Sequence, residues 1–287
     1  MDTQHLATFI TVAESGSFSA AAERLHLTQP AVSKRIALLE QRLNTDLFDR
    51  VGKHIHINRA GELLLPHARN ITQSLHNAER AIAELTGSVS GKLSIATSHH
   101  IGLHRLPPVL SRFTHQHPEV VLDLHFLDSE KAMQAVLQGN FDLGVITLPD
   151  TLPSAVAATS VWRDDLCFAV SASHPLANQQ VNLASLTKYQ AILPDSNTYT
   201  TAQVQKLFDK RGLPLTINMV TNHLDTIKMM VSIGLGWGVL PRLLLDESLA
   251  TVDVKLKPMH RELGAIVHRE RSQSNACQMF LQCLKDK

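Results

Sequence analysis

The chain has little with which to be stapled, exported or anchored. Its three cysteines, Cys167, Cys277 and Cys283, are spread through 287 residues, too few and too irregular for a disulfide framework or a zinc site. No apolar run is long enough to cross a bilayer. The start, Met1-Asp2-Thr3-Gln4-His5, lacks the basic and then apolar stretches of a signal peptide. These absences predict a soluble protein of the reducing cytoplasm with no membrane partner. Net charge is only +1, so any surface for a polyanion has to be local. No nucleophile elbow or paired-carboxylate motif is present, and Gly234-Leu235-Gly236-Trp237-Gly238 precedes a strand and Pro241 rather than a helix, which argues against a dinucleotide loop. Neither catalysis nor a cofactor is expected. What remains is an ordinary globular composition, 44% hydrophobic and 18% charged, long enough for two or three domains of about 100–200 residues each.

The first sixty residues read as three short helices and a hairpin. Leu6, Phe9, Ile10 and Ala13 form one helical stripe, ended by Gly16. Ser17 or Ser19 can cap a second helix over Ala20–Leu25, whose alanines admit a close neighbour. After the turn His26-Leu27, Thr28 caps a third helix with Pro30 in its first turn. Val32, Ile36, Leu39 and Leu43 point one way; Gln29, Pro30, Ser33, Lys34 and Gln41 point the other. Two helices joined tightly, the second presenting polar and basic groups at its start, make a helix-turn-helix. Arg50–Ile57 alternates around Gly52 and reads as a β-hairpin wing. Residues 24–59 hold seven basic and three acidic side chains, a local excess of four where a phosphate backbone would lie. The competing interpretation is a small helical bundle with a solvated basic face.

The run Gly16-Ser17-Phe18-Ser19-Ala20-Ala21-Ala22-Glu23-Arg24-Leu25-His26-Leu27-Thr28-Gln29-Pro30-Ala31-Val32-Ser33 resembles the signature of the LysR-type transcriptional regulators. So do Leu47-Phe48-Asp49-Arg50 and Asn58-Arg59-Ala60-Gly61. The match covers most of residues 1–65 and continues more loosely, as an order of segments, beyond 91. The resemblance implies a recognition helix in the major groove and a wing on the backbone. It makes Thr28, Gln29, Pro30, Ser33, Lys34, Arg35, Arg50 and Lys53 the candidate DNA contacts. Lys34 stands where the family often has Arg, and lysine lacks the bidentate fork.

Beyond the wing, Leu64, Ala68, Ile71, Leu75, Ala78, Ile82 and Leu85 recur at alternating spacings of four and three, the 3.5-residue repeat of a two-helix coiled coil. A helix packed only on its own domain would show a wider stripe. Pro66 removes a helical hydrogen bond and should kink the helix or loosen its first turn. Gly87-Ser88-Val89-Ser90-Gly91 reads as a hinge. The resemblance implies a homodimer through this helix, further pairing into a homotetramer, and an inverted-repeat promoter site on double-stranded DNA.

From Lys92 strands and helices alternate: a strand at Leu93–Ala96, one helix through Leu103, Leu106, Leu110 and Phe113, a strand at Val120–Leu127, a helix at Ala132–Leu137 and a strand at Phe141–Thr147. A second cycle runs from Cys167–Ser171 through Gln190–Leu193, Thr201–Arg211, Ile217–Val220 and Asp225–Ile233 to Trp237–Leu240, and Gly264–His268 with Ala276–Leu284 closes the chain. The grammar predicts an α/β chain with parallel sheets in two lobes, and ligands beyond the carboxyl ends of the strands. Ser98, His99, His100, Ser129, Thr147, Asn197 and Thr198 land there and are the candidate effector contacts. Any one of them could merely cap a helix; their convergence on one cleft carries the argument. With no Arg or Lys in those segments, a mono- or dicarboxylate is expected over a phosphate. The resemblance adds that such effector domains are two-lobed and like periplasmic binding proteins, with hydroxyl residues at positions like Ser98, Ser129 and Thr147 and the last strand returning to the first lobe. The expected divisions are a winged helix-turn-helix at 1–58, a linker helix at 59–87 and an effector domain at 88–287, with lobe I at 91–161 plus 264–287 and lobe II at 162–263.

Sixteen histidines raise metal binding, but the pairs His100/His104 and His115/His117 lack a third ligand at recognisable spacing. The alternatives are a solute-binding protein, or a metal or redox sensor, with an added helix-turn-helix.

Overall fold

In the computed structural model, residues 2–51, 54–83 and 89–286 are described, in two compact units: Met1–Ser88 with Gln138–Asn140, and Val89–Leu137 with Phe141–Lys287.

In the first unit α1 (Thr3–Ser15) begins where the Gln4 amide donates to the Asp2 carboxylate at 2.8 Å, and ends at Gly16, whose φ of +61° is the left-handed conformation of a C-terminal cap. Ser17 caps α2 (Phe18–Arg24), so this helix starts two residues earlier than the alanine run implied. Thr28 caps α3 (Gln29–Leu43), which has Pro30 in its first turn. Strands β1 (Phe48–Val51) and β2 (His54–Ile57) pair antiparallel as the wing. Leu6, Phe9, Val12, Ala21, Ala22, Val32, Ile36 and Leu39 bury the inward stripes together; Phe9 and Phe48 pack at 5.5 Å between ring centroids.

Helix α4 (Arg59–Ala83) continues through Pro66 as one 25-residue helix. Pro66 and Glu62, whose carbonyl loses its helical donor, are both exposed, which leaves that carbonyl to water. The expected seam divides in two. Ala68 is fully buried in the unit's own core, with Leu64 packed against it, and Arg69 is tied to Glu14 of α1 at 2.8 Å. Ile71, Leu75 and Ile82 are 42%, 41% and 70% exposed. Leu85 lies outside the described residues.

The second unit contains β3 (Gly91–Thr97), α5 (His99–His104), α6 (Pro107–Gln116), β4 (Val120–Phe126), α7 (Ser129–Leu137), β5 (Leu143–Thr147), β6 (Val156–Ser171), β7 (Gln180–Val181), α8 (Leu183–Leu186), β8 (Ala191–Leu193), α9 (Tyr199–Asp209), β9 (Ile217–Val220), α10 (Leu224–Ser232), β10 (Trp237–Pro241), β11 (Leu249–Val254), β12 (Met259–His268) and α11 (Asn275–Lys285). The strands run in the order β4-β3-β5-β12-β6-β10-β8-β9, with β11 and β7 off this path. The sheet is mixed rather than parallel. β3 lies parallel to β4 and β5, and β8 to β9 and β10, but β6 and β12 join these halves as an antiparallel pair.

Three elements differ from the sequence reading. Pro107 starts a new helix, so the single helix expected through Leu103 and Phe113 breaks into α5 and α6 and leaves Leu103 59% exposed. Strand β6 begins at Val156 and not Cys167. Its first half is mostly half-buried, so neither an apolar run nor a clean alternation marks it. β11 had no counterpart in the expected elements, although Asp246-Glu247-Ser248 and Pro258 flank it.

One core surrounds Leu93, Ile95, Phe113 and Phe280; α11 returns to it, with Phe280 edge-on to Phe113 at 5.1 Å. The other surrounds Phe168, Phe208 and Trp237. Trp237 stacks on Phe208 at 5.7 Å and donates its indole N–H to the carbonyls of Leu186 and Tyr189, so its polar edge is satisfied in a buried place.

Candidate functional site

Two sites follow from these elements, one in each unit. At the N-terminal end of α3, Thr28, Gln29, Pro30 and Lys34 are exposed and Ser33 is half-buried. Thr28 Oγ1 accepts the Ala31 amide and Gln29 Nε2 donates to Ser33 Oγ at 2.9 Å, so the helix start is a capped, ordered polar surface. Arg35 is occupied differently. Its guanidinium donates to Gln4 Oε1 at 3.0 Å and Thr8 Oγ1 at 3.4 Å, which ties α3 to α1. Lys53 lies outside the described residues, as does the Arg50 side chain.

In the second unit Ser98, His99, His100, Ser129, Thr147 and Thr198 converge on one cleft, at the carboxyl ends of β3, β4, β5 and β8. Asn197 does not join them. It is exposed, and its amide turns back to the Asp195 carboxylate at 3.2 Å. Ser98 and Thr198 both line the site and cap their helices, Ser98 Oγ accepting the Ile101 amide and Thr198 Oγ1 the Thr201 amide, while Ser129 Oγ accepts the Thr147 amide at 3.1 Å and ties α7 to β5. Three contacts join opposite sides of the cleft. The Tyr199 amide donates to Glu130 Oε1 at 3.0 Å, His104 Nε2 lies 3.3 Å from Asp225 Oδ1, and His99 meets His223 at 4.4 Å between rings. The cleft volume is about 60 Å3.

The residue that sequence reasoning missed here is Arg261. It lines the cleft, is 9% exposed, and contacts Asp164 Oδ2 through Nε at 2.9 Å and Nη2 at 2.8 Å. Its Nη1 reaches Thr200 Oγ1 at 3.4 Å. Arg105 holds the other carboxylate oxygen of Asp164 at 3.1 Å, and His100 Nε2 sits 3.4 Å from Oδ2. Burial alone would raise the Asp164 carboxyl, but His100 and the Arg261 charge outweigh it and hold it well below the usual range. Burial pushes His100 down, more strongly than Asp164 supports its charged form. The cleft therefore carries a fixed cation, so a carboxylate is no longer favoured over a more highly charged anion. A signal was present: Arg261 shares the alternation phase of the buried Leu263, Ala265 and Val267, an unusual place for an arginine without a partner. Glu130, Tyr199, Thr200, Asn222 and Leu224 also line the cleft.

Other candidates carry less chemistry. Among the described residues no group of three or more His, Cys, Asp or Glu side chains could hold a metal ion. The three cysteines are buried, and burial pushes the Cys167 thiol up to about 11, which suppresses the reactive thiolate. No helix among the described residues is long and apolar enough to cross a membrane.

Residues 3–62 match the model of the bacterial regulatory helix-turn-helix protein, lysR family, and residues 86–287 that of the LysR substrate binding domain. The HTH-type transcriptional regulator YeiE of Escherichia coli K12 is 32% identical over 97% of this chain and 95% of its own length. An HTH-type regulator of the ibpB-leuC intergenic region of Azotobacter vinelandii is 61% identical over 38% of this chain and 75% of its own. Among solved structures, full-length CbnR complexed with its target DNA matches 99% of both chains with a TM-score of 0.69 at 21% identity, a likeness of fold.

Proposed function

Given that the chain belongs to the LysR family of bacterial helix-turn-helix regulators, we propose that it is a cytoplasmic homodimer, pairing further into a tetramer, that binds an inverted-repeat promoter site and answers to a small anion in the cleft of its second unit. The chain is a DNA-binding transcription regulator with an effector-binding domain, and in this reading it catalyses no reaction. The observation that carries the DNA-binding half is the exposed set Thr28, Gln29, Pro30 and Lys34 at the start of a helix whose opposite face is core. A helix N-terminus with short polar side chains is the end that reaches base edges, while basic residues of the wing hold phosphates. Arg50 and Lys53 are assigned that role from the sequence alone.

Ser98, His99, His100, Ser129, Thr147, Thr198 and Arg261 are the proposed effector contacts. The domain divisions keep their sequence-based bounds, 1–58, 59–87 and 88–287. The lobe boundary at 161/162 and 263/264 is supported by the register shift between Leu263 and Gly264, opposite Trp162 and Ser160. A gel shift on the intergenic DNA beside the protein's own gene tests the first half. Retardation of that fragment at concentrations where random DNA stays free is expected; equal retardation of both refutes sequence-specific binding. Footprints with and without added anions test the second, with an altered footprint expected rather than release.

A further inference from the structure

We propose that the cleft is shaped for a compact oxyanion that still carries a proton near neutral pH, and that Glu130 selects for that proton. The inference rests on the reading that the cleft holds an effector, and sharpens its chemistry.

Size comes first. The space in the cleft is small, about 60 Å3. Pockets for larger organic ligands run to about 300–1,000 Å3. So small a space suits a trigonal or tetrahedral oxyanion better than an aromatic ring.

The walls match that shape. Arg261 is nine-tenths buried, and its Nη2 makes no hydrogen bond although it touches Asp164. Nη2 carries two N–H groups, of which the contact with Asp164 engages at most one, so a donor is left on a residue that lines the space. Ser98, Ser129 and Thr200 each already accept a bond, which leaves their O–H groups to donate. Converging hydroxyls around one guanidinium suit several oxygens on a single central atom.

Glu130 supplies the selection. Its carboxylate shares the cleft, acts on Arg261 as a countercharge, and accepts the Tyr199 amide through Oε1. The neighbouring Asp128 is paired with Lys131 at 3.0 Å. An ionised carboxylate only accepts hydrogen bonds. An oxyanion with an O–H can donate to Glu130, whereas one bearing only bare oxygens meets it as a like charge in a low-dielectric site. Donors from both sides of the cleft, Ser98 and Ser129 on one and Thr200 on the other, together with Arg261 and with Glu130 as an acceptor, fit a hydrogen oxyanion.

The test is calorimetric titration of the full-length protein near pH 7 with inorganic phosphate, sulfite, sulfate, nitrate, succinate and benzoate. Phosphate or sulfite is expected to bind, with sulfate and nitrate weaker by about tenfold or more, since a site that hydrogen-bonds a substrate O–H rejects the analogue without it. Glu130→Gln, whose amide can donate, is expected to erase or reverse that preference. Sulfate binding as tightly as the protonated anions, tighter binding of succinate or benzoate, or no binding by any of the six overturns the proposal. Should Glu130→Gln misfold, the unmodified protein decides: His99 and His100 line the cleft for both anions, so raising the pH through the titration of sulfite must weaken sulfite more than sulfate, and parallel curves refute the selection. An organic acid whose binding is lost in Ser98→Ala would sink the oxyanion while leaving the cleft reading intact. A genuine effector indifferent to both Ser98→Ala and Thr147→Ala would sink both.

Discussion

Arg261 and Asp164 stand directly opposite one another on the two strands that join the lobes, 97 residues apart in sequence, with Nε and Nη2 at 2.9 and 2.8 Å from the same carboxylate oxygen. From this pair Arg261 extends to Thr200 at the start of α9, and Asp164 to Arg105 and His100 on and just after α5. The pair thus links both walls of the cleft to the strands between them.

Removing one partner of a buried ion pair leaves an uncompensated charge. Asp164→Asn is expected to destabilise the second unit by about 3–5 kcal/mol. Arg261→Met should cost less, because Asp164 keeps Arg105. Trp162 and Trp237, the chain's two tryptophans, both lie in this unit, so urea unfolding followed by tryptophan fluorescence reads it selectively. A smaller loss for Asp164→Asn than for Arg261→Met would contradict the network described.

His100 links stability to pH. Burial lowers its pKa in the folded protein, so below about pH 6.5 the unfolded chain takes up a proton that the native one resists. Stability should therefore fall as pH drops below about 6.5, with a slope of at most about 1.4 kcal/mol per unit from this group. His174, lowered by burial as well, acts in the same direction, while Asp164 stays ionised throughout. The measurement is Tm from pH 5 to 8 for the protein and for His100→Gln; identical curves would remove His100 from the account.

On DNA, Gln29→Ala is expected to weaken binding to the specific site by about 1–3 kcal/mol and to random DNA very little. Arg35→Ala should instead lower the melting temperature of the first unit, because Arg35 is held by Gln4 and Thr8. Competition gel shifts and thermal unfolding separate the two; an equal loss on both DNAs for Gln29→Ala would end its base-reading role.

Along α4 the two halves of the heptad repeat should behave oppositely. Ile71→Glu together with Leu75→Glu, at two exposed positions, is expected to leave the first unit folded and to lower the native mass by loss of the α4 pairing. Glu at the fully buried Ala68 should unfold the unit itself, since an unpaired charge in a core is not tolerated. An unmodified protein with the mass of one subunit would refute the seam.

Gly264 lies at the register shift between β12 and β6, where an added Cβ would run into the Thr159 carbonyl. Gly264→Ala should cost about 1–3 kcal/mol through forced backbone movement, read by the same fluorescence experiment. A neutral effect would mean that the strands can separate there freely.

What the sequence determined by itself was local in range. The stripe Val32-Ile36-Leu39, the caps Thr28 and Thr198, and the positions of Ser98, Ser129 and Thr147 at strand ends follow from periodicities of 3.6 and 2 and from short hydrogen bonds, all set within a few residues. The tertiary structure decided what depends on distant partners. It made β6 a sixteen-residue strand although its first half carries no alternation, because β12 pairs along it from Met259 to His268. It divided one heptad repeat into a core half and an exposed half, since α1 reaches only the beginning of α4. It also put a buried arginine into a cleft whose local segments hold none. Burial and partners are properties of neighbours in space, and for Arg261 the essential neighbour lies 97 residues away.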